Sequence, residues 1–243
     1  MKIGIVQTQS IKGDIPKNIE HHLHFIDIAQ SHGADAIFFP ELSITGYEPT
    51  LAQALAIAID DNRFDVFQQL SDTNNIIVGI GAPVKAIEGV CISMLLFQPH
   101  QSRQMYSKKY LHADELPFFV SGTNTLEMIG DLALAICYEI SVPLHVENVA
   151  HKGAKIYVAS VAKSVSGMEK TFERLSYIAQ TYQMTVLMSN CIGFCDDFES
   201  GGKSAIWNTH GQQVAQLNDY QEGMLIFDTK TQKALRILSP FYS

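Results

Sequence analysis

KIGIVQTQSIKGDIPKNIEHHLHFIDIAQSHGADAIFFPE, residues 2–41, is the stretch from which the rest of the chain can be read. KIGIVQTQ (2–9) has the length and apolar character of a strand, and NIEHHLHFIDIAQSHG (18–33) places apolar residues at helical spacing and ends at Gly33. ADAIFFPE (34–41) is a short apolar run of the kind that forms a buried strand. Strand, helix, strand is the unit of a layered α/β fold.

Working outward, a mostly helical stretch is expected from about Leu51 to Leu70. NNIIVGIGAPV (74–84) and CISMLLFQPH (91–100) follow as neighbouring strands with a turn at Glu88 and Gly89. The second half repeats the grammar. LALAICYE (132–139), AKIYVAS (154–160) and TVLMSN (185–190) read as strands, with PLHVENVAHKG (143–153) and MEKTFERLSYIAQTYQ (168–183) as helices between them. KSAIWNTHG (203–211), QQVAQL (212–217) and GMLIFDT (223–229) suggest antiparallel strands. With no linker and no short repeat, residues 1–243 are predicted to form one domain of mixed α/β type, two βα halves giving two packed sheets covered by helices.

Composition narrows the function. The chain is 47% hydrophobic and 17% charged, enough apolar material for a large core. Its net charge of -8 opposes phosphate backbones and anionic membranes, and the only basic pair is Lys108 with Lys109, so neither nucleic acid nor membrane is an expected partner. The N-terminus lacks a signal-peptide pattern and no run approaches the ~18 apolar residues of a membrane span, which predicts a cytoplasmic protein. Cys91, Cys137, Cys191 and Cys195 are too few and too scattered for a disulfide scaffold and read as reduced thiols.

In α/β sheets the chemistry collects beyond the carboxyl ends of strands. Four residues occupy such places: Glu41 after AIFFP, Cys137 after LALAI, Ser160 after IYVA and Asn190 after VLMS. A carboxylate at the end of an apolar strand either finds a partner or has its pKa raised, and a raised pKa suits a general base. A lone cysteine is more often a small buried hydrophobe than a nucleophile. Cys137, however, leads toward Pro143 through a strand-to-helix connection, where backbone N–H groups can face an oxyanion. YSKKYLHADELPFFVSG (106–122) adds cations that could stabilise a thiolate or an oxyanion, the alternative being an exposed basic turn.

Together these segments resemble the nitrilase superfamily of carbon-nitrogen hydrolases, in order and over nearly the whole chain. FFPELSITGYEP is similar to the block holding the glutamate of a Glu-Lys-Cys triad, here Glu41, and YSKKYL to the lysine block, where a Tyr-x-Lys-x-x-Leu spacing selects Lys108. ELPFFVSG resembles the segment after the lysine, which places the family's assisting glutamate at Glu115, and ICYEISVP resembles the cysteine block, which makes Cys137 the nucleophile. GAKIYVAS and GGKSAIWNTHG resemble later blocks, and Ser160 in the first of these is a candidate for the substrate-binding set. The resemblance implies an α-β-β-α sandwich, a homodimer or higher homo-oligomer, no metal and no organic cofactor. It implies attack of Cys137 on a small linear amide, with Glu41 moving the proton and Lys108 and the N–H of Tyr138 holding the oxyanion. Cys137-Tyr138-Glu139 leans toward amides, nitrilases tending to carry Cys-Trp-Glu there. N-carbamoyl compounds and nitriles stand as alternative substrates. Two segments depart from the family pattern: Ser141 stands where relatives often carry arginine, and Ile178–Tyr182 keeps only Ala179 of an Arg-Ala-x-Glu-Asn run. An acidic amide would call for a pocket cation, for which Lys163 and Lys203 are candidates.

Other readings compete less well. A papain-like Cys-His hydrolase would place its cysteine early, at the start of a helix, rather than after a mid-chain strand. His21, His22 and His24 are expected on a polar helix surface rather than at a metal, and Cys191 and Cys195 lack a second ligand pair at zinc spacing. A degenerate, non-enzymatic binding module would keep the fold without the chemistry.

Overall fold

A computed structural model describes residues 1–123 and 126–238. Its strands in chain order are β1 (Lys2–Gln7), β2 (Ala36–Phe38), β3 (Ile77–Ala86), β4 (Gly89–Phe97), β5 (Gln104–Ser107), β6 (Met128–Ile129), β7 (Leu132–Ile136) and β8 (Ile156–Val161). They continue with β9 (Thr185–Asn190), β10 (Ile192–Cys195), β11 (Phe198–Gly201), β12 (Ala205–Trp207), β13 (Gln213–Gln216), β14 (Gly223–Asp228) and β15 (Lys233–Leu238). The helices are α1 (Ile15–Ser31), α2 (Ala52–Leu55), α3 (Asp65–Asn74), α4 (Pro143–His151) and α5 (Met168–Tyr182).

Two large mixed sheets form the centre. One runs β15-β14-β1-β2-β3-β4-β5 and the other β13-β12-β9-β8-β7-β6. In each, the middle three strands are parallel: β1, β2 and β3 in the first, β7, β8 and β9 in the second. Parallel strands are covered on both faces, so their sequences are apolar without alternation. β2, β7, β8 and β9 are buried at every position.

A core of Ile3, Ile5, Phe38, Ile92 and Met94 from the first sheet meets Leu134, Val158 and Leu187 from the second. Side-chain hydroxyls fasten the two sheets. Ser160 Oγ in β8 donates to the Phe39 carbonyl (2.7 Å), and Ser189 Oγ in β9 to the Val6 carbonyl (2.5 Å). A separate cluster joins the outer face of the first sheet to α1 and α3 through Phe25, Ile26, Phe67 and Val78. On the second sheet, Val146 and Val149 of α4 and Leu175 and Ile178 of α5 join the central core.

Local signals explain the helix boundaries. Asp14 caps α1 by accepting the Lys17 N–H (3.1 Å), with proline in the first turn. The helix begins at Ile15, three residues earlier than the apolar spacing alone predicts. The helical region after Leu51 is two pieces, α2 and α3, with Asp61 capping a short 3₁₀ turn ahead of α3.

The histidines of α1 correct the sequence reading. His21 and His22 are buried rather than on a polar surface. His22 stacks on Phe39 with ring centroids 4.0 Å apart, and its Nδ1–H donates to the Asn18 carbonyl (2.6 Å). Its Nε2 accepts from Ser43 Oγ (2.8 Å). Burial drives its pKa down to about 3, so the ring is a neutral, amphipathic core group. Its position behind Ser43 buttresses the turn that presents Glu41.

Candidate active site

Glu41 leaves the end of β2 in a tight turn whose next residue, Leu42, has φ 52°. The turn lies on the backbone of β3: Ile44 N–H donates to Gly81 O (3.0 Å) and Gly81 N–H to Ser43 Oγ (3.2 Å). A Cβ on Gly81 would stand 2.3 Å from Pro40 O and 2.4 Å from Leu42 N, so only glycine permits this approach.

Lys108 follows β5, its N–H donating to Ile92 O (2.8 Å) and its carbonyl accepting from Gly122 N–H (2.7 Å). Gly122 is again a close approach, since a Cβ there would lie 2.5 Å from Ser107 Cβ. The Lys108 side chain is completely buried, with Nζ 2.8 Å from Glu41 Oε1 and 2.5 Å from Glu115 Oε1. Glu115 is fixed in turn by Tyr47 OH (3.0 Å) and by His112 N–H on its other oxygen (2.7 Å). Lys109 instead pairs with Glu127, away from this cluster. Burial would lower Lys108, but the charges of Glu41, Cys137 and Glu115 outweigh it and hold the ammonium above its ordinary range.

Cys137 opens a 3₁₀ turn, Cys137–Ser141, directly after β7. Its φ of 44° is in the left-handed region, a strain of roughly 1–2 kcal/mol for a residue with a Cβ. Such strain is stable only where the surroundings enforce it, and here they do. Glu139, fully buried, accepts Ile136 N–H (2.8 Å), Lys109 N–H (2.7 Å) and Tyr106 OH (2.7 Å). One carboxylate thus ties the cysteine turn to the lysine turn. Tyr106 continues the network to His145 (3.0 Å) and His145 to Tyr157 (3.1 Å). Sequence reasoning used Glu139 only as a family letter and missed this role; its anchors at Tyr106 and Lys109 lie some thirty residues upstream.

Burial, then the negative charge of Glu41, pushes the Cys137 thiol up to about 11, while Lys163 and Lys108 pull it back. Burial also raises Glu41, against the pull of Lys108. Glu41 Oε2 has no hydrogen-bond partner among the described residues. Cys137 Sγ lies 3.9 Å from Ala162 O, and a raised carboxylate with a vacant acceptor near a raised thiol suits a general base.

A cavity of about 650 Å³ opens over Cys137, with Tyr47, Glu115, Tyr138, Ser141, Lys163 and Arg174 among its lining. Tyr138 meets His112 edge-on, ring centroids 5.1 Å apart. Ser160 does not line this cavity: it is buried and bonded to Phe39 O, directly behind the Glu41 turn. Its hydroxyl holds the carbonyl of Phe39, two residues before Glu41. Asn190 likewise acts through backbone, accepting Lys163 N–H (2.9 Å) and donating to Gly202 O (2.8 Å). Cys191 and Cys195 are buried with their sulfurs 3.4 Å apart, and no group of three metal-ligating side chains occurs among the described residues.

The family model of the carbon-nitrogen hydrolases matches residues 2–234. The chain belongs to the carbon-nitrogen hydrolase family. The matched range includes the buried Glu41, Lys108 and Cys137. A glutamine-dependent NAD(+) synthetase of Aquifex aeolicus is 26% identical over 93% of this chain, which spans only 41% of that protein's length. Nitrilase 2 of Arabidopsis thaliana is 27% identical over 67% of the chain and 55% of its own length. Among solved structures, an amidase of Nesterenkonia sp. AN1 superposes with TM-score 0.84 at 22% identity, over 94% of this chain and 92% of that one. The likeness establishes the nitrilase fold. Variants of that amidase have been solved with butyramide and with the acetamide moiety of fluoroacetamide on the active-site cysteine.

Proposed function

We propose that this carbon-nitrogen hydrolase is an amidase that cleaves small linear amides through a thioester on Cys137. The observation that carries the reading is the unpartnered Glu41 Oε2, in a cluster where Lys108 bridges Glu41 to Glu115, a residue that lines the same cavity as Cys137. Glu41 accepts the thiol proton as Sγ bonds to the amide carbon. The oxyanion is held by Lys108 and by the Tyr138 N–H. Collapse expels the amine or ammonia, which takes the proton from Glu41, and leaves the acyl group on sulfur. Water then gives a proton to Glu41 and hydroxyl to the thioester carbon, releasing the carboxylic acid and restoring the thiol. Glu115 keeps Lys108 charged and oriented.

Amides are favoured over nitriles by the Cys137-Tyr138-Glu139 run. An N-carbamoyl amidohydrolase, a nitrilase or a binding module are the other outcomes of one experiment. Ammonia release is measured against linear amides, N-carbamoyl amino acids and nitriles. The reading predicts turnover of amides with at least tenfold preference over nitriles; exclusive carbamoyl or nitrile turnover would replace it, and binding without turnover would favour the module.

By the same resemblance the enzyme is proposed to act as a homodimer or higher homo-oligomer. A cytoplasmic setting is proposed from its four unlinked thiols. Among the described residues no helix is long and apolar enough to cross a membrane.

A further inference from the structure

Two thiols that the proposed reaction does not use lie against the active-site cavity. Cys191 and Cys195 are four residues apart, and in a straight strand such residues would stand about 13 Å from each other. Their sulfurs are 3.4 Å apart instead, because Gly193 between them adopts φ 77° and bends the segment. The bend is held from both ends. Ser200 Oγ donates to Cys191 O (2.7 Å) and lies 3.2 Å from Cys191 Sγ. Cys195 pairs with Phe198 across the β10–β11 hairpin, whose turn passes through Asp196 at φ 51°. Hydrogen bonding with Cys195 holds the Cys191 thiol below its ordinary range, Ser200 adding to it against the effect of burial, and the same contact pushes the Cys195 thiol up. One sulfur is disposed to ionise and attack while its neighbour keeps its proton.

The pair faces the surface on one side and the cavity on the other. Glu41, Tyr47, Glu48 and both cysteines line a pocket of about 10 Å³, room for about one water-sized molecule. That pocket shares Glu48, Ile192 and Phe194 with a groove of about 670 Å³. Phe194, on the rim, is 78% exposed. The approach suits an oxidant of the size of hydrogen peroxide rather than a bulky disulfide. On the cavity side the two thiols pack with Ala162, Tyr47 and Phe198, and all three of these line the active-site cavity. Phe198 meets Tyr47 edge-on, ring centroids 5.7 Å apart, and Tyr47 OH donates to Glu115.

We propose that Cys191 and Cys195 are a dithiol site that peroxides convert reversibly into a disulfide, and that closing this bond shifts the Phe198 wall of the active-site cavity. The Cys191 thiolate attacks one peroxide oxygen and becomes a sulfenic acid; the O–O bond breaks, and the other oxygen takes up a proton and leaves as water. The Cys195 sulfur then bonds to the Cys191 sulfur, and its proton departs with the hydroxyl as a second water. Two thiols lose two electrons, and one peroxide gains them. The sulfurs must close from 3.4 Å to about 2.05 Å, and Cys195 carries its hairpin partner Phe198 with it. β10 and β11 belong to neither large sheet, so this hairpin is the part able to yield. The dithiol site stands without the amidase reading; only its effect on turnover rests on that reading.

The test treats the reduced protein with hydrogen peroxide, blocks the remaining thiols with N-ethylmaleimide and weighs the peptides. The peptide bearing Cys191 and Cys195 should lose two hydrogens and take up no blocking group, Cys91 and Cys137 should be blocked in full, and dithiothreitol should restore both thiols. In Cys195→Ala the sulfenic acid on Cys191 has no thiol to resolve it and should be trapped by dimedone. Oxidation of the wild type should lower kcat/KM for a small amide on the order of 10-fold, as a displacement of about 1 Å beside a site allows. The loss should reverse with dithiothreitol, and Cys191→Ser should be spared it. Thiols that resist peroxide, sulfinic acid without a disulfide, or pairing of either sulfur with Cys137 would overturn the site. A complete disulfide that leaves kcat/KM unchanged would overturn its coupling to the cavity. If no amide is turned over, the amidase reading fails and the peptide masses alone decide the dithiol site.

Discussion

Glu41 and Glu139 are both buried glutamates at the ends of apolar parallel strands, and burial raises the pKa of both. They differ in how completely they are bonded. Glu139 has a donor on each oxygen, with a tyrosine hydroxyl in addition. Glu41 has Lys108 on one oxygen and no partner on the other. A saturated carboxylate holds two turns in place and has no free acceptor for chemistry; in the proposed reaction the half-satisfied one keeps a lone pair for the proton of Cys137. The cost of leaving a buried acceptor unmatched falls where the reaction uses it.

Exchanging each glutamate for its amide should break the comparison in opposite directions. Glu41→Gln keeps its shape and leaves Lys108 paired with Glu115, so its stability should stay within about 1 kcal/mol of wild type while kcat/KM falls by about 10³-fold, the contribution of a general base. In Glu139→Gln the new amide NH₂ must face a backbone N–H, leaving buried donors unmatched. Urea unfolding should then show a loss of about 1–3 kcal/mol, with activity falling less than in Glu41→Gln. Equal effects of the two exchanges on both readouts would refute the division of labour.

The pH profile sharpens the same contrast. In the proposed reaction Glu41 works as carboxylate, and burial raises its pKa above the ordinary 4.5, so kcat/KM should rise with pH through a limb displaced above that value. The alkaline limb should lie well above neutrality, since the thiol is pushed up to about 11; these limbs belong to the coupled pair rather than to either residue alone. Glu139→Gln should leave the acid limb in place. An acid limb at or below the ordinary carboxylate value would contradict the burial of Glu41.

Much of this was legible in the residues. The parallel strands are buried on both faces and therefore appear as unbroken apolar runs, which made the alternation of strand and helix visible. Glu41 and Cys137 stood out because polar atoms at the ends of such runs need a reason, whereas Lys108 was set apart from Lys109 only by its resemblance to the Tyr-x-Lys-x-x-Leu block. What stayed hidden depends on contacts between distant segments. His21 and His22 counted as polar in the periodicity of α1, yet a neutral imidazole packs on Phe39 as an aromatic ring does. Ser160 was correctly placed at a strand end, but its partner is a carbonyl on the opposite sheet. Arg174 lies a full helix away from Cys137 in sequence, and only the fold brings it against the Ile140 carbonyl.

The central claim is that the Glu41 proton acceptor makes Cys137 the nucleophile. It is tested most directly by acid-quenching the protein during turnover of a small amide, then reading intact and peptide masses. The account predicts one acyl group, confined to the peptide bearing Cys137, reduced or absent in Glu41→Gln, and none on Cys91, Cys191 or Cys195. Undiminished turnover in Cys137→Ala, or an acyl group carried by another residue, would contradict it.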